Sequence, residues 1–367
     1  MPRPPARRGP HPLPLYLSVA SRLQRERNGH PGTPLEDFIE GLKAYWRQPG
    51  GRPELTGEVA WTRGSLRLVA SGPPGGQPVL VVPSLVNRAY ILDLLPERSL
   101  IAALAGAGHR VMLVDWGEPG AQELELGIAD HLAQHLEPAL RLIGRDLRRP
   151  PVVLGYCMGG LLALALAARA PRQIAGLALL ATPWDFSMAR THPGTASPLA
   201  APMLADTLAR FGHVPANLLD WTFAASDPGQ VVAKYSAFGR SDPRSLRSRI
   251  FVAIEDWLSD GVALAGPVAR ECLLDWYVDN HPAAGTWRVD GRPVRPETLE
   301  MPAFVAVPSR DRIVPEASAR PLARLLRHVT TVEPAAGHVG MIAGGRAPEL
   351  LWRPLLEWLR RIADATE

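Results

Sequence analysis

The sequence predicts an α/β fold: a mostly parallel β-sheet with helices on both faces and a helical cap insertion. Three observations carry this reading. Short apolar runs of buried-strand type alternate with longer stretches of helical spacing up to about residue 182. The alternation breaks between about 183 and 300, where the chain is helix-like and rich in Trp, Pro and Asp. Strand-helix order then returns from residue 301. Neither half of the sheet pattern is complete alone, so one interrupted core explains the order better than two tandem domains. The expected division is an N-terminal arm (1–57), a core (58–182 and 301–367) and a cap (183–300) over the carboxyl edge of the sheet, where open α/β folds bind ligands.

In chain order, residues up to Gly57 are punctuated by Pro, Arg and Gly, with one helix expected over Leu35–Trp46, opened by Thr33 and Pro34 as cap and first-turn proline. Ser65–Ala70 alternates like an exposed strand, while Val79–Val82 and Val111–Val114 are continuously apolar. Glu97–Ala107 has helical spacing and stops at Gly108. A helix over 127–147, a strand at Val152–Leu154, a helix over Met158–Arg169 and a strand at Leu177–Leu180 follow. After the insertion come a strand at Phe304–Val307, a helix over Ala317–Arg327, a strand at Thr330–Val332 and a terminal helix over Pro348–Ile362.

The chain has 367 residues, 46% hydrophobic and 21% charged, enough to bury a large core. Forty basic against 36 acidic residues give a formal +4, spread along the chain and almost wholly arginine, which argues against a nucleic-acid partner. Two cysteines, Cys157 and Cys272, make neither a disulfide framework nor a zinc cluster. The first residues lack an apolar region of signal-peptide length, and the stretch at Leu161–Ala170 is far too short to span a bilayer. A cytoplasmic protein with no membrane span and no metal is expected.

The strongest motif is Val152-Val153-Leu154-Gly155-Tyr156-Cys157-Met158-Gly159-Gly160, a strand entering a G-x-C-x-G-G turn and then an alanine/leucine helix. This is the nucleophile-elbow pattern with cysteine as the nucleophile. The turn has no room for Cβ atoms beside the nucleophile, and the following helix aims its amino-terminal amides at the thiolate. A base and an orienter are required on later loops. Asp311 follows the strand at Phe304–Val307 and His338 follows the one at Thr330–Val332, giving the α/β-hydrolase order of nucleophile, acid and histidine. The oxyanion donors expected from topology are the amide of Met158 and one from the loop after Val79–Val82, Val86 or Leu85. Cys272 reads as a small core residue, and Trp257, Trp276 and Trp287 as cap packing. His131 and His135 stand four apart with no further ligand nearby in sequence, so a solvated helix face is expected.

The stretch Pro83-Ser84-Leu85-Val86-Asn87-Arg88-Ala89-Tyr90-Ile91-Leu92-Asp93-Leu94, with Arg98-Ser99-Leu100 and Gly108-His109-Arg110-Val111-Met112-Leu113-Val114-Asp115-Trp116-Gly117, closely resembles polyhydroxyalkanoate synthases. That family also carries cysteine in a G-x-C-x-G-G box. The likeness continues in Asp311-Arg312-Ile313-Val314-Pro315, where the family has Asp-His-(Ile/Leu)-Val-Pro, and in Gly337-His338-Val339-Gly340. Trp257–Asp260 and Leu274–Asn280 are similar to its tryptophan motif and its L-x-x-x-Y-x-x-N-like segment. Coverage runs from about Val79 onward, and the short N-terminal region is more similar to class III catalytic subunits.

The resemblance implies a cysteine acyltransferase that uses hydroxyacyl-CoA and needs no cofactor beyond that thioester substrate. It implies Asn87 and Arg312 as substrate contacts, and Asp311 either orienting His338 or helping to activate a 3-hydroxyl. It also implies a polyester granule surface as partner, with a second synthase subunit or a homodimer left open. Two other readings remain at this level. One is a cysteine hydrolase of the dienelactone-hydrolase or intracellular polyester-depolymerase kind. The other is a catalytically idle granule- or partner-binding protein, against which the intact Cys157, Asp311 and His338 argue.

Overall fold

Eight strands form the central sheet of the computed structural model, which describes residues 9–26, 34–190, 200–224 and 228–366. In chain order they are β1 (Glu58–Arg63), β2 (Leu66–Ser71), β3 (Pro78–Val82), β4 (Arg110–Asp115), β5 (Val152–Tyr156), β6 (Gly176–Leu180), β7 (Ala303–Ala306) and β8 (Val329–Val332). Their spatial order is β1-β2-β4-β3-β5-β6-β7-β8. β1 and β2 pair antiparallel, as do β2 and β4, and every other pair is parallel.

Alternation along the parallel strands builds two cores. Leu80, Val82 and Val153 face one side, toward Leu132, Leu136, Leu140 and the helix Met158–Arg169. Val79, Val81, Val152 and Leu154 face the other, toward Leu100, Leu104, Leu355, Trp358 and Leu359. Burial on both faces is why these strands read as unbroken apolar runs. Met158–Arg169 is apolar nearly all round and is buried from Met158 to Ala167, as such a helix must be.

The structure corrects several sequence expectations. The strand expected to be exposed at Ser65–Ala70 is β2, second from the edge, and every residue but Arg67 is buried. The exposed edge is β1, which no sequence pattern marked because it faces water on both sides. A further helix, Leu13–Glu26, occupies the N-terminal region beside Pro34–Trp46. Thr33, the expected cap residue, lies outside the described residues. Both helices pack on Pro228–Gly239 through Tyr16, Phe38, Tyr45, Tyr235 and Phe238, joining this N-terminal region to the helical insertion in one apolar cluster. Among its described residues the insertion is mostly helix, with two short ribbons, His213–Val214 with Leu264–Ala265 and Arg288–Val289 with Arg292–Pro293. Trp184, Phe186, Trp276 and Trp287 form its main aromatic stack.

His131 and His135 are not on a solvated face. Both are buried, their Nδ1 atoms are 3.3 Å apart, and the Trp116 ring packs edge-on against both. The His131–Leu136 turn is wound as a π-helix, and His131 and His135 lie on its buried side with Leu132 and Leu136. Burial, then the neighbouring His135, pushes the His131 pKa down to about 4, with Asp130 and Glu123 opposing. His135 is lowered too, by burial and then by Arg63.

Because the folded pKa of His131 lies below the unfolded value, the unfolded chain binds the extra proton. Stability is therefore full above about pH 6.5 and declines as pH falls toward 4, by roughly 3 kcal/mol for this residue. Urea unfolding at pH 7 and pH 4.5 should show a smaller loss in His131→Gln than in the wild type. An equal loss in both would show that the pair is not the acid-sensitive element.

Candidate active site

β5 ends at the centre of the sheet, and the chain turns there into the helix Met158–Arg169 through Cys157, at φ 56° and ψ −126°. A non-glycine residue at positive φ costs on the order of 1–3 kcal/mol. Two backbone bonds hold it: the Cys157 amide donates to Leu180 O (2.9 Å), and the Gly160 amide donates to Cys157 O (2.9 Å). A Cβ on Gly155 would run into the backbone of Gly159 and Gly160, and one on Gly159 into the Val82 carbonyl. The helix can lie against β3 and β5 only because those positions are bare.

The loops after β7 and β8 bring Asp311 and His338 to the same edge. His338 Nδ1–H donates to Asp311 Oδ2 at 2.6 Å. The other carboxylate oxygen accepts from the amides of Ile313 (2.8 Å) and Val314 (2.9 Å). The Asp311 side chain has no exposed surface. His338 and Cys157 line the same cavity, on loops that follow different strands. The Tyr156 ring lies 5.0 Å from the imidazole, and its hydroxyl donates to His338 O. Burial works to lower the His338 pKa, but the charges of Asp311 and Cys157 outweigh it and hold the imidazole well above its ordinary range.

A cavity of about 400 Å³ opens over this cluster. Cys157, Met158, Val86, Asn87, Arg312 and His338 all line it, so the structure gathers six of the eight residues expected from the sequence around one space. Asp311 stands behind His338, off the wall. Leu85 is buried in the core beneath the loop, and only the neighbouring Val86 reaches the cavity. Val86 N currently donates to Ser84 Oγ at 3.3 Å, a long bond. Met158 is the first residue of its helix, so its amide has no intrahelical acceptor. Arg312 is exposed at the rim.

Some wall residues were not foreseen as site residues. Cys272, expected in the core, lines the cavity, with its thiol pKa raised well above the ordinary value by burial and then by Glu271 and Asp275. Tyr277 lines it as well, and its hydroxyl is raised by burial and then by the charges of Cys157 and Cys272. Its place in the L-x-x-x-Y-x-x-N-like segment was the available signal. The remote wall comes from Pro10, His11 and Tyr16 of the N-terminal region, together with Asp220, Lys234 and Glu255. Lys234 Nζ donates to Glu255 at 2.6 Å, and burial pushes Asp220 up to about 6.

The strand order, the elbow after β5 and the acid and histidine loops after β7 and β8 agree with the profile of the alpha/beta hydrolase fold, which matches residues 77–344. The chain belongs to that family. Among α/β-hydrolase chains of known structure, it resembles the monoacylglycerol lipase of Paleococcus ferrophilus with a TM-score of 0.54 at 19% identity, over 81% of this chain and 99% of that one. That likeness concerns the fold alone. In sequence, this α/β-hydrolase is 32% identical to the poly(3-hydroxyalkanoate) polymerase subunit PhaC of Haloferax mediterranei, over 77% of this chain and 58% of that protein. It is 29% identical to the Haloarcula marismortui subunit, over 79% of this chain and 62% of the relative. The Thiocystis violacea subunit is 27% identical over 78% and 81%. The chain thus spans less than two thirds of the length of the two haloarchaeal relatives.

The raised His338 pKa has a sign that can be checked. Protonated His338 beside Asp311 stabilises the fold below about pH 6.5, and that contribution is lost as pH rises through the higher folded value. Thermal melting from pH 6.5 to 9.5 should therefore show a falling Tm in the wild type and a flatter profile in His338→Gln. Parallel profiles would mean that the pair carries no such charge.

Proposed function

We propose that this protein is an acyltransferase that polymerises (R)-3-hydroxyacyl-CoA into polyhydroxyalkanoate through a thioester on Cys157. The observation that carries the reading is Cys157 on its strained elbow and His338, hydrogen-bonded to Asp311, lining one largely apolar cavity. The similarity to PhaC subunits supports the substrate class.

In this reading His338 takes the Cys157 proton, and the thiolate attacks the CoA thioester carbonyl. The amides of Met158 and Val86 receive the oxyanion. CoA leaves as a thiol with the proton held on His338, and the acyl group remains on Cys157. The 3-hydroxyl of an acyl acceptor then attacks that thioester as His338 removes its proton, forming the ester bond and freeing the thiol. Thioester exchange is nearly isoenergetic, so the acyl group stays activated until a hydroxyl arrives. The cap excludes the competing water. The burial of Asp311, with both oxygens engaged, favours its orienting role over contact with a substrate hydroxyl.

No cofactor is required, because the acyl donor arrives activated. Asn87 and Arg312 are the proposed substrate contacts at the wall and rim. A granule surface and a second synthase subunit or second copy are the partners this function calls for, in the cytoplasm. Among the described residues no helix is long and apolar enough to cross a membrane.

Purified protein given 3-hydroxybutyryl-CoA should release CoA and form polymer, with and without a class III partner subunit compared. Cys157→Ala should reduce CoA release by roughly 10³-fold or more. Cys157→Ser should keep the fold and lose polymer far more than slow CoA release, since a serine oxyester is less activated. Release of free 3-hydroxy acid alone under every condition would replace the transferase reading with a hydrolase one.

A further inference from the structure

The loop between β3 and the Ala89–Leu92 turn is tied down by charges that the triad does not use. Arg88 is only 7% exposed, and its three nitrogens point at three different places. Nη1 donates to Gly117 O (2.8 Å) and Nη2 to the Glu118 carboxylate, both just beyond β4. Nε is buried, makes no hydrogen bond, and lies 3.7 Å from Asp260 Oδ1. Asp260 follows the insertion helix Leu246–Leu258. The same carboxylate takes a two-pronged pair from Arg52 (2.8 and 2.7 Å). Two residues before the helix's following turn, the Trp257 indole N–H donates to the Arg88 backbone oxygen at 2.8 Å.

The insertion therefore grips Arg88 by both backbone and side chain, two residues from Val86. At the other end of the loop the Trp116 indole donates to Pro83 O (3.2 Å). The segment between, Ser84 to Asn87, has only the long Val86 to Ser84 bond of its own. Its position over Cys157 is set by its anchors.

We propose that Arg88 and Asp260 are positioning residues, an ionic clamp that holds the Val86 amide where the oxyanion forms and so links the seating of the insertion to the rate of acylation. The proposal rests on the functional reading of Val86 as an oxyanion donor. Lysine cannot serve the three directions that one guanidinium serves, so Arg88→Lys keeps the charge and loses the geometry. Asp260→Asn keeps the shape and loses the charge.

The test uses p-nitrophenyl acetate as acyl donor and iodoacetamide as a probe of the thiol, on the full chain. Acylation needs the oxyanion donor, whereas alkylation needs only the thiolate and the fold. Arg88→Lys and Asp260→Asn should each slow the acylation burst roughly 10- to 100-fold, with KM within about threefold and alkylation within about twofold of wild type. The double variant should fall no further than the slower single one, since the two act as one unit. Trp257→Phe, which removes the backbone tie along with part of a buried ring, should slow acylation more than alkylation.

Equal losses of acylation and alkylation would reduce the clamp to a folding element and overturn the proposal. Unchanged acylation, or multiplicative losses in the double variant, would overturn it too. A burst that survives Cys157→Ala would instead remove the nucleophile assignment on which it rests. The choice of polymer or free acid as product does not enter this test.

Discussion

Everything in the active site depends on how closely the helix Met158–Arg169 approaches the strands it follows. Its first turn lies so near β3 and β5 that Gly155 and Gly159 have no space for a Cβ, and Cys157 is pushed to a positive φ at the apex. That strained turn lifts the thiol out of the sheet and leaves the Met158 amide without an intrahelical partner beside it. The strain is tolerated because the turn is clamped by the Leu180 carbonyl on one side and by its own Gly160 amide on the other. Without the close approach there would be a cysteine at the end of a strand, with no helix-terminal amide beside it.

The sheet topology supplies the remaining groups at little further cost. Parallel strands all present their carboxyl ends to one edge, so the loops after β5, β7 and β8 meet there even though Cys157 and His338 are far apart in sequence. Asp311 is then fixed by two amides of its own loop and by the imidazole, which sets the His338 ring beside the cavity that Cys157 also lines. The insertion completes the site from above. Trp257 and Asp260 tie down Arg88 at the end of the Ser84–Asn87 loop, while Phe186, Trp276 and Tyr277 line the cavity.

Much of this was legible in the sequence because it rests on short-range patterns. The buried strands β3 to β7 appear as apolar runs, and the elbow appears as glycines at fixed offsets from a cysteine. Features set by distant partners were hidden. β2 alternates in sequence yet every residue but Arg67 is buried, because it lies inside the sheet between β1 and β4, a position that local pattern cannot reveal. His131 and His135 are buried against Trp116, a partner that their own spacing in sequence does not reveal. The helix Leu13–Glu26 belongs to a proline-rich stretch and gains its stability from Tyr16 and Ala20 packing against the N-terminal cluster. Cys272 reads as a core residue by its neighbours, and only the folded chain shows that it shares a cavity with Cys157. Arg88 and Asp260, 172 positions apart, give no local sign that they meet.

The account stands on Cys157 carrying the acyl group. Acid-quenching the protein milliseconds to seconds after mixing with 3-hydroxybutyryl-CoA, followed by digestion and mass spectrometry, reads that directly. A hydroxybutyryl mass on the peptide containing Cys157, absent from His338→Gln, is the predicted result. An unmodified Cys157 peptide while CoA is being released, or the same mass on the Cys272 peptide instead, would contradict it.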